Sequence, residues 1–527
     1  MKRCIRRLLS LMIICSMTFV TLGFAAFAWP VSAASKPALS KKTVTLKKGK
    51  TTTIKLKNAR KKVVWKSSNS KVVKVVKKKG KYRSTVTIKG LKKGKATITA
   101  KCGKKTYKCR VTVKYTKPKP EPQPSPEPEP KENIEILPLS ESSEDLTANY
   151  TRNPAGNSTP DEAFCSAVTD FSIDLFKSIS AATGSNSSIL VSPDSVETAL
   201  AMLETGAAGD TKTEMEAVLG GGMDHAEFCS YLAGMNDRLA NSDKIIFQQS
   251  NSIWARKGLM DVSNSFIQQN KDWFDSCFYV APFNNETVSD MNNWVYNNTR
   301  NMIRSVIDQL YDDDRMVLIN TTVFEGKWEV PFESVTDETF INAAGTKEKA
   351  SMLNELGSCN YFEMNGARCF ERRYKGGEIS FVGILPPENT TADAFVQDMS
   401  GSGFRSAWNS RTQEHVMLTM PEFTYDYGTE LGPVLQAMGM NKAFSTAADF
   451  SGMGKPSVMV DRVIHKTHIE LDRNGTKAAA ATAVISKASS VYIEAPIEIR
   501  MDRPFVYALV DTETGIPLFI GTVRTLN

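Results

Sequence analysis

The stretch 470-ELDRNGTKAAAATAVISKASSVYIEAPIEIRMDRPF-505 decides the fold. It holds four consecutive alanines, Ala478 to Ala481, flanked by Thr476 and Thr482. Turns and loops favour Gly, Pro, Asn and Asp, so this composition is foreign to a loop. It also lacks the apolar stripe of an amphipathic helix. Alternation supplies another reading. As a strand, 476–488 presents Thr476, Ala478, Ala480, Thr482, Val484, Ser486 and Ala488 on one face. That face is small and uncharged, and Lys477 and Lys487 fall on the other. A strand that must slip between two existing strands over a packed core needs this pattern. Gly475 allows the backbone to rotate at its start. A short helix or a loose linker is the plainer alternative.

Outward from this stretch, the chain of 527 residues is too long for one ordinary domain. Residues 1–34 read as a secretory signal: Lys2, Arg3, Arg6 and Arg7 precede an apolar run, and Val31-Ser32-Ala33 ends it as a small-residue cleavage site. Seven cysteines follow, at irregular spacing and without a C-x-x-C pair, which is neither a disulfide framework nor a zinc site. Pairing of Cys102 with Cys109 across a hairpin stays open.

Residues 35–115 contain 26 Lys, 3 Arg and no Asp or Glu, so all 57 acidic residues lie elsewhere. Short alternating runs separated by Gly turns (Thr43–Leu46, Thr53–Leu56, Thr85–Ile88, Ala96–Thr99) predict a small all-β sandwich. The run LSKKTVTLKKGKTTTIKLKN…GLKKGKATITAKCGKKTYKCRVTVKY resembles bacterial immunoglobulin-like domains of group 2. The charge reads either as a soluble spacer or as retention on an anionic cell-wall polymer or glycan. Nucleic acid is disfavoured, because no aromatic stacking series accompanies the lysines. Residues 116–158 read as a linker. Its Pro/Glu-rich part reaches roughly 45 Å at ~3.1 Å per residue over about 15 residues, and 133–158 read as a polar acidic tether.

From 159 to 527 the composition is globular. Phe164, Val168, Phe171, Leu175 and Ile179 predict a helix over 160–182, and alternating runs late in the chain predict strands, hence an α+β domain. Four histidines and no H-E-x-x-H, G-x-S-x-G or phosphate loop leave catalysis little support, and no metal or cofactor is expected. His465 and His468 are expected on opposite faces of a strand.

The segments GTKAAAATAV, DRPFVYALVDTETGIPLFIGTV (502–523), SILVSPDSVETALAMLETGAAGDTKTEM (188–215), VLINTTVFEGKWEVPFE (317–333) and LGPVLQAMGMNKAFSTAADFSGM (431–453) resemble serpin motifs in the right order. The resemblance implies a metastable α+β serpin fold of three β-sheets and eight to nine helices with an exposed reactive loop. It implies a non-catalytic inhibitor that traps a serine protease as an acyl-enzyme when the cut loop inserts as a strand. At ~3.3 Å per residue that strand is roughly 50 Å long.

The resemblance gives Gly475, Thr476, Ala478, Ala479, Ala480 and Ala481 as hinge residues. It gives Ser192, Ser195, Asn320 and His465 as a polar shutter beneath the opening sheet, and Trp328 as the aromatic where insertion begins. Counting from Gly475 puts the scissile bond at Ser489–Ser490, with Ala488 and Val491 as one-step alternatives. A small residue there suits an elastase-like or subtilisin-like target. Arg473 and Glu422 stand where the family usually has the opposite charges, which predicts a reversed ion pair. A secreted, extracellular monomer is expected; no C-terminal sorting motif follows Asn527, so covalent wall anchoring is not expected and the chain should be released or held at the cell surface by charge. Two rivals remain: a non-inhibitory serpin serving as a carrier, and a surface adhesin.

Overall fold

The computed structural model describes residues 35–114, 135–154, 159–476 and 495–526. The signal 1–34, the Pro/Glu stretch and the loop residues Ala478 to Ala481, Ala488, Ser489, Ser490 and Val491 lie outside the described residues.

The chain divides into a first unit ending at Lys131 and a second from Glu132 to Asn527. In the first, alternation of apolar and polar residues builds two four-stranded sheets over one core. One sheet runs Ala38–Leu39, Thr51–Lys57, Thr85–Gly90, Val73–Lys79; the other Thr43–Lys47, Lys105–Lys114, Gly94–Cys102, Val63–Ser67. Ile54, Leu56, Trp65, Ile88, Ile98 and Val111 fill the space between them. The hairpin register sets Cys102 opposite Lys105 and Cys109 opposite Ile98, so the two cysteines do not face each other and both are free.

In the second unit, helix Glu162–Ala182 starts where Asp161 accepts a hydrogen bond from the Phe164 amide, and it buries Phe164, Val168, Phe171, Leu175 and Ile179. Nine α-helices among the described residues surround three sheets, of seven, nine and two strands. The long strand Lys347–Met364 joins the nine-stranded sheet by pairing with both Ala367–Arg373 and Thr412–Pro421.

The seven-stranded sheet positions the site. Its central strand Met316–Lys327 pairs antiparallel with Ile245–Arg256 and parallel with Arg462–Asp472. Both faces are covered, so the strand is an unbroken buried run over 316–324 rather than an alternation. Val317 and Ile319 point to a cluster under helix Asn285–Asn298 with Met291, Trp294 and Val295. Leu318 and Asn320 face the other way, toward helix Pro193–Glu204, all of whose residues are buried.

The reading of 133–158 as a tether is corrected for its described part. Glu144–Asp145 adds an antiparallel edge to strand Cys277–Ala281. Ser140 and Ser143 donate to the Asp290 carboxylate, Asn297 bonds both backbone groups of Leu137, and Arg152 pairs with Asp237. The unpaired sheet edge and the acceptors on helix Asn285–Asn298 supply partners that a free polar segment lacks.

Candidate functional site

The two residues that precede the alanine-rich stretch form a wedge in the seven-stranded sheet. Gly475 and Thr476 lie between two strands, pairing antiparallel with Lys327 and Gly326 on one side and with Asp472 and Leu471 on the other. Gly475 has φ +155°, and a Cβ there would stand 2.0 Å from the Gly326 carbonyl oxygen, so no other residue fits without moving the sheet. Thr476 is 2% exposed and its side chain points into the core, where its hydroxyl meets the Tyr374 hydroxyl at 2.7 Å. This is the inward parity read for the first residue of the small face. Thr476 is thus already seated between the strands, rather than waiting outside to be the first to insert.

Below the wedge the same two strands pair with each other, Val317–Thr322 against Arg462–Thr467. The ladder between these two strands ends at Thr322–Thr467, so the sheet is closed up to that pair and open from Val323 and His468 upward, with Gly475 and Thr476 seated at the top of the opening.

Trp328 forms the floor of the wedge. It is fully buried, stacks on Tyr374 at 4.4 Å, and donates from Nε1 to the Asp472 carbonyl and from its amide to the Asn474 carbonyl. Arg372 lies over the Phe332 ring at 3.9 Å and near Trp328; burial pulls its guanidinium down to about 9. Tyr374 and Arg372 carry no motif that sequence reasoning could use, since they arrive from strand Ala367–Arg373 and the bridge that follows it.

The ion pair predicted between Arg473 and Glu422 takes another form. The Arg473 guanidinium donates to the carbonyls of Phe332 and Glu333, while the Glu422 carboxylate accepts from the Arg473 backbone amide at 3.3 Å. Burial raises the Glu422 carboxyl, and the amide bond and the nearby guanidinium oppose this only in part. Two carbonyls at the end of a turn are better placed for a planar fork than one half-buried carboxylate.

Ser192, Ser195, Asn320 and His465 come together as one fully buried network. His465 and Asn320 are register partners on the two strands beneath the wedge. The His465 Nδ1–H donates to Asn320 Oδ1 at 2.7 Å, and His465 Nε2 accepts from the Ser192 amide at 3.1 Å. Asn320 Nδ2 donates to the Ser195 carbonyl and hydroxyl and to Asn251. The Ser192 hydroxyl donates to the Leu518 carbonyl. Burial alone pushes the imidazole down to about 3, so it is neutral and its tautomer is set by these partners. His468 faces the other side and meets Asp426.

A second polar group on the same helix was not read from sequence. Asp194 and Glu197 are fully buried on Pro193–Glu204. Desolvation, with Asp511 nearby, raises Asp194 to about 8, and desolvation, with Asp194 nearby, raises Glu197 well above its ordinary value. The signal available was two acidic residues three apart, amid the apolar Val196, Ala199, Leu200 and Leu203 of the motif at 188–215.

Comparison with known proteins agrees with this geometry. The family model for serpins (serine protease inhibitors) matches residues 166–526, and that for bacterial Ig-like domains of group 2 matches 34–113. An uncharacterized serpin-like protein of Thermococcus kodakarensis is 29% identical over 371 residues, covering 68% of this chain and 85% of its own. Neuroserpin of Homo sapiens is 27% identical over 396 residues, covering 71% and 94%. Among solved structures, the thermophilic serpin tengpin in its native state is 32% identical and matches with a TM-score of 0.69 over 73% of this chain and 100% of its own. Tengpin in its latent state matches at 0.61, with 30% identity, over 70% and 100%. With the wedge, the buried network of Ser192, Ser195, Asn320 and His465, and a family match over residues 166–526, the chain belongs to the serpin family, non-catalytic protease inhibitors that act through a reactive loop.

Proposed function

We propose that this chain is an exported, monomeric suicide inhibitor of serine proteases of elastase-like or subtilisin-like preference, held at an anionic surface by its basic unit. The observation that carries the inhibitory reading is the seating of Gly475 and Thr476 between two strands that pair directly with each other further down, from Thr322–Thr467 to Val317–Arg462. A loop that starts from such a seat has its insertion begun at Gly475 and Thr476. The protease serine hydroxyl adds to the Ser489 carbonyl carbon; the Ser489–Ser490 amide breaks, the Ser490 amine leaves with a proton from the protease's own acid, and Ser489 stays esterified. Freed at that end, the small face starting at Thr476 enters the sheet. The six register pairs from Val317–Arg462 to Thr322–Thr467 then part, and the Asn320–His465 bond with them. Each strand exchanges one ladder for another, and the sheet gains a strand.

The mature chain incubated with an elastase-like protease is expected to give an SDS-stable ester complex and a released fragment beginning at Ser490. Cleavage without a complex sinks the inhibitory reading. Thr476→Glu puts a charge at a 2% exposed position that is already seated, so it is expected to drive this residue out of the wedge; returning it during insertion then costs several kcal/mol, which should turn inhibitor into substrate.

A further inference from the structure

The basic unit distributes its charge in a way that a spacer does not need. On one sheet, Lys55, Thr85 and Lys79 form a row across three strands, beside the row Thr53, Thr87, Lys77. On the opposite sheet, Lys66, Thr99 and Lys108 form a row, beside Thr97 and Arg110. All of these lysines and Arg110 are exposed, the threonines less so, and the core lies between the two faces. Both outer faces therefore carry cations with hydroxyls between them, and with no Asp or Glu in 35–115 nothing within the sandwich itself offsets either face.

We infer that the sandwich holds a flexible linear polyphosphodiester on each of its two outer faces, so that one unit bridges two polymer strands. Alternate residues along a strand are about 6.8 Å apart, and a phosphodiester chain with a three-carbon repeat sets its charges at a similar spacing when extended. Lysine outnumbers arginine 26 to 3, which favours point-charge attraction and sliding over bidentate fixation. The row threonines add hydroxyl donors for phosphate oxygens. A flat bilayer engages one face only and leaves the other unused. Bases of a nucleic acid find little to stack on, because Trp65 is 3% exposed and Tyr107 is partly covered, leaving Tyr82 at a turn.

This deepens the attachment role proposed above. The test uses the full mature chain with poly(glycerol phosphate) of defined length, polygalacturonate of equal length, and phosphatidylglycerol vesicles. The polyphosphodiester is expected to bind tightest. With about four phosphates neutralised per face, affinity falls about 50-fold between 50 and 200 mM salt. Light scattering rises as chains are bridged. Neutralising one face (Lys55→Gln, Lys57→Gln, Lys77→Gln, Lys79→Gln) or the other (Lys66→Gln, Lys101→Gln, Lys108→Gln, Arg110→Gln) keeps binding but abolishes the scattering. Vesicles or polygalacturonate binding as tightly overturn the polymer chemistry. Loss of all binding from one set, or binding without scattering, overturns the two-face arrangement while leaving attachment intact. No binding to any of the three removes the attachment role itself, without touching the inhibitory reading.

Discussion

Helix Pro193–Glu204 carries two buried polar groups, and they solve burial in opposite ways. On the Ser192 and Ser195 side every donor has an acceptor: His465 lies between Ser192 and Asn320, and Asn320 reaches Ser195 and Asn251. On the Asp194 and Glu197 side, Gln249 donates to Asp194, and Asp511 is taken by Arg238 and Thr514. Both Glu197 oxygens, by contrast, have no hydrogen-bond partner among the described residues. The first group is neutral and directional, and it spans the strands that must part. The second is tolerated because burial shifts both carboxyls toward their protonated form. The same helix thus holds a mechanical latch and a proton-dependent load, and substitutions on the two sides are expected to have opposite signs.

The largest effect belongs to the latch. Asn320→Ala strips the His465 Nδ1–H and the Asn251 side chain of their shared partner inside a fully buried site. At ~1–3 kcal/mol per orphaned group, the native state should lose about 3 kcal/mol. The urea midpoint should drop, and activity should decay faster on storage as the two strands part unaided. An unchanged midpoint would mean that the network does not latch the sheet.

On the other side, Glu197→Met replaces an unpartnered buried carboxyl by an apolar chain of similar size. Removing such a group should raise stability by about 2 kcal/mol at pH 7. The stoichiometry of inhibition should not change, since no strand-crossing bond is touched. A loss comparable to that of Asn320→Ala would show that Glu197 has a partner and would erase the contrast.

What sequence could read follows the same division. The wedge was legible because small residues at alternate positions and a glycine at the start state their own constraint, and Thr476 faces inward as the alternation required. Ordered family motifs made the latch residues legible, and their order is a local property. Three features were not. The Arg473 guanidinium preferred two carbonyls to Glu422; such a choice depends on where Phe332 and Glu333 end their turn. Tyr374 beneath Thr476 comes from a strand about a hundred positions away. Residues 135–153 read as a tether because their partners, the edge of Cys277–Ala281 and Asp290, lie over a hundred residues on. In each case the deciding group is remote in sequence, and a polar segment carries no periodicity that announces a docking site.

The smallest effect, per pH unit, separates the two sides by titration. Asp194 has a native value of about 8 against 3.8 for the ordinary group, so between those values the native state holds a proton that the unfolded chain has lost. Its contribution is full below about pH 4 and is lost as pH rises through 8, at about 1.4 kcal/mol per unit. Glu197 acts in the same sense. His465 runs the other way: at about 3 in the native state against 6.5, it costs stability as pH falls from 6.5 toward 3. Between about pH 4 and 6.5 its rise with pH offsets the fall due to Asp194; above 6.5 the offset ends. Stability should therefore decline gently up to pH 6.5 and more steeply from there to 8. Asp194→Asn should remove about 1.4 kcal/mol per unit of that steeper limb, read from urea midpoints at half-unit steps. A limb equally steep in the variant would place that proton elsewhere than on Asp194 and would remove it from the proton-dependent side of the helix.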